Sequence, residues 1–278
     1  MAGITSASAD PVTSKIGEPR FAFGKNWQNF LQRLNDERIA DAERSLCSML
    51  EIHDLAGKSF LDIGCGSGLF SLAAIRLGAE RVYSFDYDAQ SVACTQELKR
   101  RYFQQSQNWI IEQGSILDVD YLSRLGQFDL VYSWGVLHHT GAMNDAIRRA
   151  ASLVRLKGHL IIAIYNTHWT SPIWYFIKCA FVTMPTLIQR IFIALLLPLI
   201  FIAKAVVTRR NPLKKERGMD FYHDAIDWIG GYPYEYATVG EIGALLESLG
   251  FQLERTIPAV VPTGCNQFVF RRQRVTTA

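Results

Sequence analysis

Short apolar runs alternate with segments of helical periodicity along most of this 278-residue chain. Five of these runs predict buried strands, which begin at Phe60, Arg81, Asn108, Phe128 and Gly158. Between them, apolar residues recur every three or four positions, which indicates helices. Such alternation is typical of an α/β domain with a doubly wound, mostly parallel sheet. Two later runs, FQLERTIP and QFVFRR, predict a closing antiparallel pair, so that seven strands are expected.

The first predicted strand ends in three glycines at alternate positions, Gly64, Gly66 and Gly68, and a helical segment follows at once. Glycine permits positive φ and close approach of a ligand to the backbone, here at the positive end of a helix dipole. A nucleotide-binding turn is therefore predicted. The dinucleotide fingerprint is not met, because Leu69 stands where its third glycine would fall. The second strand ends in Asp86, where an acid accepts hydrogen bonds from ribose hydroxyls in doubly wound folds.

The D-x-G-x-G-x-G pattern that begins at Asp62 resembles motif I of the class I S-adenosylmethionine-dependent methyltransferases. The resemblance implies that the acid and the glycine backbone hold the methionine part of the cofactor S-adenosyl-L-methionine. It also implies that adenine borders Ser115 and Ile116, although relatives often have an acid at the serine position, for which Asp118 is an alternative. The implied cofactor-binding residues are Asp62, Gly64, Cys65, Gly66, Gly68, Asp86, Tyr87, Ser115, Ile116, Ser133 and Trp134.

A wider set of motifs, FGxNW, LDIGCGSG, RGM…DWxGGYPYE and GCNQF, resembles a group of bacterial class I methyltransferases often described as quinol-methylase-like. The resemblance covers residues 21 to about 272. It implies a seven-stranded, mostly parallel, Rossmann-like sheet with a hydrophobic helical insertion after strand five. It assigns no acceptor, and whether oxygen, carbon or nitrogen receives the methyl group stays open.

The loop after strand four carries a histidine pair that looks like the "LHH" of small-molecule members of this family. An imidazole can take a proton at neutral pH, although many relatives use this pair to pack the loop. Catalytic roles are expected for His138, His223 and Asp227. Contacts with the acceptor are expected from Trp27, His139, Tyr165, Asn166, Asp224, Glu235 and Asn266.

The segment from His168 to Val207 is strongly apolar and contains three formal charges. Its longest uncharged run, from Ile191 to Ala203, is 13 residues, shorter than the roughly 20 that a spanning helix needs. Pro198 is expected to interrupt it. These features disfavour a spanning helix and leave two alternatives, helices in a membrane interface or a hydrophobic lid over the acceptor.

A basic run follows this apolar segment and comprises Arg209, Arg210, Lys214, Lys215 and Arg217. An apolar helix beside a basic cluster favours binding to an anionic membrane surface. The alternative is a solvated loop beside a buried lid.

Composition and charge set the remaining limits. The net charge of +3 is too small to argue for nucleic acid. Five scattered cysteines without a C-x-x-C pair indicate reduced thiols and no zinc site. The polar first residues carry no secretory signal, so that a cytoplasmic location is expected, peripheral at the inner face of the membrane in the second case.

Four parts of the chain are predicted. They are a disordered tail (1–20), an aromatic flap with the cofactor-binding core (21–166), the insertion (167–220), and an acceptor-side loop with the last helix and closing strands (221–278). The expected activity is methyl transfer to oxygen or carbon of a small apolar or lipid-borne acceptor. The alternatives are an RNA methyltransferase, suggested by the basic segments, and a peripheral membrane protein that binds the nucleotide without catalysis.

Overall fold

A computed structural model of the chain describes residues 23, 27, 30–32, 34–104, 107–209, 211 and 221–273. The side chain of His223 also lies outside the description. The predicted tail, most of the aromatic flap and the basic run after Arg209 therefore fall outside the described residues.

The sheet has seven strands in the order β3-β2-β1-β4-β5-β7-β6. Neighbours from β3 to β5 pair in parallel, and β7 is antiparallel to both β5 and β6. The strands are β1 (Ser59–Ile63), β2 (Arg81–Asp86), β3 (Trp109–Gln113), β4 (Phe128–Trp134), β5 (Val154–Tyr165), β6 (Phe251–Ile257) and β7 (Cys265–Arg272). The predicted doubly wound, mostly parallel sheet is confirmed.

Helices connect the strands on both faces of the sheet. They are α1 (Asp36–Leu50), α2 (Leu69–Arg76), α3 (Ala89–Tyr102), α4 (Val119–Ser123), α5 (Met143–Ser152), α6 (Ser171–Thr183), α7 (Thr186–Thr208), α8 (Phe221–Gly230) and α9 (Val239–Glu247). Local signals define several of their ends. Asn35 caps α1 by accepting from the Arg38 amide, and Thr238 with Glu241 forms the predicted capping box of α9.

Two apolar cores flank the sheet. One contains buried residues of α1, α2 and α3 with Phe30 and Leu31, and the other contains residues of α4, α5 and α9. Because both faces are covered, the central strands are almost continuously buried, as in β1 and β4. The strand order reverses between β1 and β4, so that their carboxyl ends border a crevice where ligands bind in open α/β sheets.

The insertion after β5 forms α6, α7 and α8. The expected interruption at Pro198 is wrong, because this residue lies inside α7, a continuous helix of 23 residues. Proline removes one backbone donor from the helix at this position. Among the described residues, α7 is long and apolar enough to cross a membrane, and its most apolar stretch has no buried residue.

Candidate functional site

A single cavity of about 1130 Å³ opens at the carboxyl ends of β1, β2 and β4. It extends from the glycine turn after β1 to the inner side of α7, beneath α8 and the loop that precedes β7. Pockets for one small ligand measure roughly 300–1,000 Å³. The cavity lies just above the upper end of this range.

The glycine turn is fixed by its backbone. Gly64, Gly66 and Gly68 have φ of 72°, 54° and 78°, a region that side chains with a Cβ disfavour. The amides of Gly64 and Cys65 both donate to the carbonyl of Phe85, at 2.8 and 3.1 Å. The turn is thus tied to the end of β2 by two backbone hydrogen bonds.

Asp86 lies at the tip of β2, as predicted, and its two oxygens organise the cofactor end of the cavity. One accepts from the Gly66 amide at 3.0 Å and the other from the Asp88 amide at 2.9 Å. Burial raises the pKa of this carboxyl to about 6, although these amides oppose the shift. A third backbone hydrogen bond comes from Tyr87, so that about one of the four acceptor positions of the carboxylate remains for a ribose hydroxyl.

Asp62 ends β1 beneath the turn and is nearly inaccessible. Its carboxylate accepts from the Ser71 hydroxyl of α2 at 2.5 Å. Burial, with a smaller contribution from Asp86, raises the pKa of Asp62 to about 7. A cation brought into the cavity beside these two carboxyls would favour their ionised forms.

The segment after β3 also borders the cofactor end of the cavity. Ser115 and Ile116 line the cavity, and the Ser115 hydroxyl accepts from the Leu117 amide at 3.1 Å. Asp118, the alternative acid, instead caps α4 by accepting from the Tyr121 amide. Among the two candidates, Ser115 is the one at the cavity.

Nine of the eleven predicted cofactor-binding residues line the cavity together: Asp62, Gly64, Cys65, Gly66, Asp86, Tyr87, Ser115, Ile116 and Trp134. The other two, Gly68 and Ser133, lie outside the cavity lining. Gly68 is the first residue before α2 and faces Thr95. Ser133 is fully buried and donates to the Ile63 carbonyl, where it joins β4 to β1.

Two aromatic residues of the predicted flap reach the cavity. A Cβ on Gly66 would lie 2.9 Å from the indole nitrogen of Trp27, so that this ring lies directly against the glycine turn. The Phe23 ring lies 5.2 Å from that of His139. Trp27 therefore contacts the cofactor half of the cavity.

The other half of the cavity is aromatic and aliphatic. His139, Tyr165, Asp224 and Asp227 line it, as predicted. The wall opposite the sheet comes from α7, through Leu196, Leu199, Ile200, Ala203, Lys204 and Val207. The predicted position of an acceptor next to the insertion thus matches the shape of the cavity.

Four of the residues predicted to be catalytic or to contact the acceptor lie outside the cavity lining: His138, Asn166, Glu235 and Asn266. His138 is fully buried, its ring packs 4.1 Å from that of Tyr165, and burial lowers its pKa well below the usual value. Glu235 accepts from the Met143 amide at the start of α5. Asn266 donates to Asn166 at 2.9 Å and accepts from the Ala259 amide. These side chains position segments around the cavity, and the structure gives no description of the His223 side chain.

Several residues of the acceptor half were missed. Trp174 and Trp228 line it with their rings 4.2 Å apart, and Lys178 is a fully buried cation behind them that donates to the Trp228 carbonyl. A lysine on an apolar helix carries no sequence signal for burial. The wall of α7 was hidden because both faces of that helix are apolar, so that its periodicity does not identify the inner one.

The five cysteines are all free thiols. Among the described residues, no group of three or more His, Cys, Asp or Glu side chains lies close enough to hold a metal ion.

Comparison with known proteins identifies the core. Residues 54–183 match the family model described as "Methyltransferase domain". The ribosomal protein L11 methyltransferase of Legionella pneumophila (strain Lens) is 55% identical over 56 residues, 20% of this chain and 19% of that protein. The ubiquinone biosynthesis O-methyltransferase of Rhodopseudomonas palustris (strain BisA53) is 26% identical over 153 residues, 51% of this chain and 55% of that protein. The chain thus spans about a fifth to a half of these curated relatives.

The same fold occurs in a solved structure. Magnesium protoporphyrin IX methyltransferase of Synechocystis PCC 6803, crystallised with SAH, superposes with a TM-score of 0.55 at 16% identity and covers 90% of this chain and 94% of that one. The resemblance to the class I methyltransferases, and the fold that it implied, are confirmed.

Proposed function

We propose that this chain, whose residues 54–183 match the family model described as "Methyltransferase domain", is an S-adenosylmethionine-dependent methyltransferase that acts at a membrane surface. Its acceptor is a small apolar or lipid-borne molecule, methylated on oxygen or carbon. The observation that carries the proposal is the continuity of one cavity from the glycine turn and Asp86 to the apolar side of α7.

The cofactor assignment rests on the chemistry of the first half of this cavity. Asp86 offers an acceptor for a ribose hydroxyl, and Asp62 with the glycine turn offers a carboxylate and close backbone approach near the methionine end. The sulfonium of S-adenosylmethionine supplies the methyl group with a good leaving group already attached. The chain's own residues then have to place the acceptor in line with that methyl.

The membrane assignment rests on the outer face of α7. Exposed apolar side chains recur along it at helical spacing, at Leu187, Ile188, Ile191, Leu195, Ile202 and Val206. Trp169, Ile173 and Phe176 extend this apolar surface at the start of α6, where Trp169 is 78% exposed. Extended apolar surfaces on soluble proteins mark interaction sites, and an exposed tryptophan beside such a surface suits the bilayer interface.

We favour an interfacial over a spanning position for α7. The helix is about 34 Å long by its rise per residue, yet one side faces the cavity and packs on α8, with the Phe201 and Phe221 rings 5.4 Å apart. In a spanning position, the side of α7 that faces the cavity and α8 would lie in the lipid as well. Lying in the interface, α7 is both a cavity wall and a membrane contact, so that the two alternatives for the insertion become one arrangement.

The RNA alternative loses part of its support. Arg271 pairs with Glu254 at 3.6 Å, and Arg272 donates to the Val154 carbonyl at 2.5 Å. Arg271 and Arg272 belong to a second basic run, from Arg271 to Arg274, which is one of the segments that suggested RNA. Both arginines therefore have partners within the protein.

One experiment separates the proposed function from its alternatives. Protein is incubated with methyl-tritiated S-adenosylmethionine together with bacterial membrane lipids and total RNA, and the label is followed into the organic and aqueous fractions. We expect label in the lipid fraction. Label in RNA would establish the RNA alternative, and cofactor binding without transfer to either fraction would favour the non-catalytic one.

The cofactor site is tested separately by calorimetry. Asp86→Ala should weaken binding of both S-adenosylmethionine and its demethylated product by more than about 1 kcal/mol, because it removes charge-assisted hydrogen bonds. Asp120→Ala, which removes an exposed carboxylate on α4, serves as the matched control. Equal affinity in the Asp86 variant and the control would contradict the assignment of β2.

A further inference from the structure

Four buried polar side chains form a line through the apolar core beneath the cofactor half of the cavity. Asp62, Ser71, Ser84 and Trp109 are each at most 3% exposed, and they come from β1, α2, β2 and β3. Asp62 lines the cavity, whereas the other three lie outside its lining. The line therefore meets a ligand at one end only, the carboxyl of Asp62.

Strand pairing brings these side chains to one face of the sheet. Asp62 and Ser84 are directly opposite each other in the parallel pair of β1 and β2. Trp109 of β3 is opposite Val82, two residues before Ser84, and residues two apart on a strand share a face. Helix α2 packs on this face with the apolar core that contains Trp109, and it supplies Ser71.

The hydrogen bonds have one direction along this line. The indole nitrogen of Trp109 only donates, so that it gives its proton to the Ser84 oxygen at 2.9 Å. The Ser71 hydroxyl donates to Oδ2 of Asp62 at 2.5 Å. Since that proton is then used, the 2.7 Å bond between the two serine oxygens is donated by Ser84. Three donors in series therefore point towards Asp62.

This direction stabilises the ionised form of the Asp62 carboxyl. Burial raises the pKa of Asp62 to about 7, and the Ser71 hydroxyl is the larger of the causes that oppose the shift. Hydrogen bonds in series polarise one another in a low-dielectric interior, so that the donors behind Ser71 strengthen its bond to the carboxylate. The Ser71 backbone contributes a second bond. About two of the four acceptor positions therefore remain for a ligand.

We propose that Ser71, Ser84 and Trp109 are positioning residues for the cofactor, because they hold the Asp62 carboxylate in one orientation for the ammonium group of the methionine part. This inference rests on the proposed function and deepens it. The three residues act through Asp62, since none of them lines the cavity. A carboxylate that is already oriented loses less conformational freedom when the ammonium group binds.

The first test compares two ligands by calorimetry on the full chain. S-adenosylhomocysteine carries the amino and carboxylate groups, and 5′-methylthioadenosine keeps adenine, ribose and sulfur but lacks both groups. Ser71→Ala should weaken S-adenosylhomocysteine binding at least tenfold, because it removes a hydrogen bond to a charged group. Ser84→Ala should weaken it about threefold. Both variants should bind 5′-methylthioadenosine within twofold of the wild-type protein, as should Asp62→Asn.

Two further variants separate the hydrogen-bond chain from the loss of a buried hydroxyl. Ser91→Ala removes an equally buried serine hydroxyl from α3, outside the chain and the cavity lining, and should bind both ligands like the wild-type protein. Ser71→Ala/Ser84→Ala should bind S-adenosylhomocysteine no more weakly than Ser71→Ala, because Ser84 acts through Ser71. Additive losses would mean that the two serines act independently, which would overturn the inference.

The second test uses Trp109 as a reporter that does not touch the ligand. In protein labelled with ¹⁵N-tryptophan, the Trp109 indole signal is assigned by its loss in Trp109→Phe. S-adenosylhomocysteine should shift this signal, and 5′-methylthioadenosine should shift it far less. Asp62→Asn should remove the difference between the two ligands. An equal response to both ligands in the wild-type protein would show that the chain does not report on Asp62.

The outcomes distinguish this inference from the proposed function. Absence of S-adenosylhomocysteine binding by the wild-type protein would contradict the proposed function itself. If the wild-type protein binds this ligand and Ser71→Ala loses affinity for both ligands equally, the three residues only support the fold and the inference is overturned. Unchanged S-adenosylhomocysteine affinity in Ser71→Ala would overturn it as well.

Discussion

The two halves of the cavity are built in different ways. The cofactor half is made of backbone, in a short turn between β1 and α2. Backbone amides of this turn donate hydrogen bonds to the Phe85 carbonyl and to the Asp86 carboxylate. The acceptor half is made of side chains from α7, α8 and the loop before β7, which are brought together over long sequence separations. A backbone site suits a ligand that many relatives share, whereas a side-chain wall can change without disturbing the fold.

The largest effect should come from the backbone of the turn. Gly64→Ala places a Cβ 2.4 Å from Val136 at a φ of 72°. We expect S-adenosylmethionine affinity to fall at least tenfold and the melting temperature to drop, since the left-handed region alone costs about 1–2 kcal/mol. Calorimetry and thermal unfolding measure the two effects.

Gly126→Ala is the matched control, because Gly126 has a φ of 73° and no atom within 4 Å of its Cβ position. It should lower the melting temperature alone. If both variants keep full affinity, close packing of the turn is not what shapes the cofactor half.

The outer face of α7 should control membrane binding and nothing else. In Ile191→Glu/Ile202→Glu, two side chains that are 54% and 58% exposed become charged. Binding to phosphatidylglycerol vesicles should weaken at least tenfold, about 1.4 kcal/mol, with unchanged cofactor affinity. Val119→Glu, also at an exposed apolar residue but on α4, should bind vesicles normally. Unaltered sedimentation of the double variant would favour a lid without a membrane role.

The inner face of the same helix should control the acceptor. Ile200→Trp adds bulk to the cavity wall, whereas Ile202→Trp adds the same group on the outer face. Turnover of the lipid acceptor should fall about fivefold, roughly 1 kcal/mol, in the first variant only. Cofactor affinity should stay within twofold in both. Equal turnover would mean that the acceptor does not reach α7.

The difference between the backbone-built cofactor half and the side-chain-built acceptor half also explains what the sequence could predict. The glycine turn, Asp62 and Asp86 lie within one strand–turn–helix unit and its neighbour, where spacing along the chain sets position in space. The sheet order and the closing antiparallel pair likewise follow from local patterns that each predict one element. Ser133 lies outside the cavity lining, and its hydroxyl donates to the Ile63 carbonyl of the neighbouring strand β1.

The acceptor half could not be predicted in this way. Asn166 and Asn266 bond to each other across 100 positions of the chain, so that their role as a tie depends on the pairing of β5 with β7. Lys178 is buried among Tyr165, Trp228 and Tyr234 from three separate segments, with its Nζ 4.9 Å from the Tyr234 ring. Polar residues in this region looked catalytic in sequence because their tertiary partners were not visible there.

A further effect concerns pH and the buried acids of the cofactor half. Asp62 and Asp86 have pKa values raised by burial to about 7 and about 6, above the ordinary 3.8. Between about pH 4 and pH 7 the folded protein therefore holds protons that the unfolded chain has released. The free energy of unfolding of the ligand-free protein should accordingly decrease as pH rises through this window. Asp62→Asn should flatten the dependence, and Asp120→Asn, at an exposed carboxylate, should not. Urea unfolding at pH 5, 6 and 7 measures the slopes.

Since S-adenosylmethionine brings a positive charge to these carboxyls, its binding should also flatten the wild-type slope, whereas variants on α7 should leave it unchanged. A steep slope that persists in Asp62→Asn would place the titrating group elsewhere and remove the electrostatic distinction between the two halves.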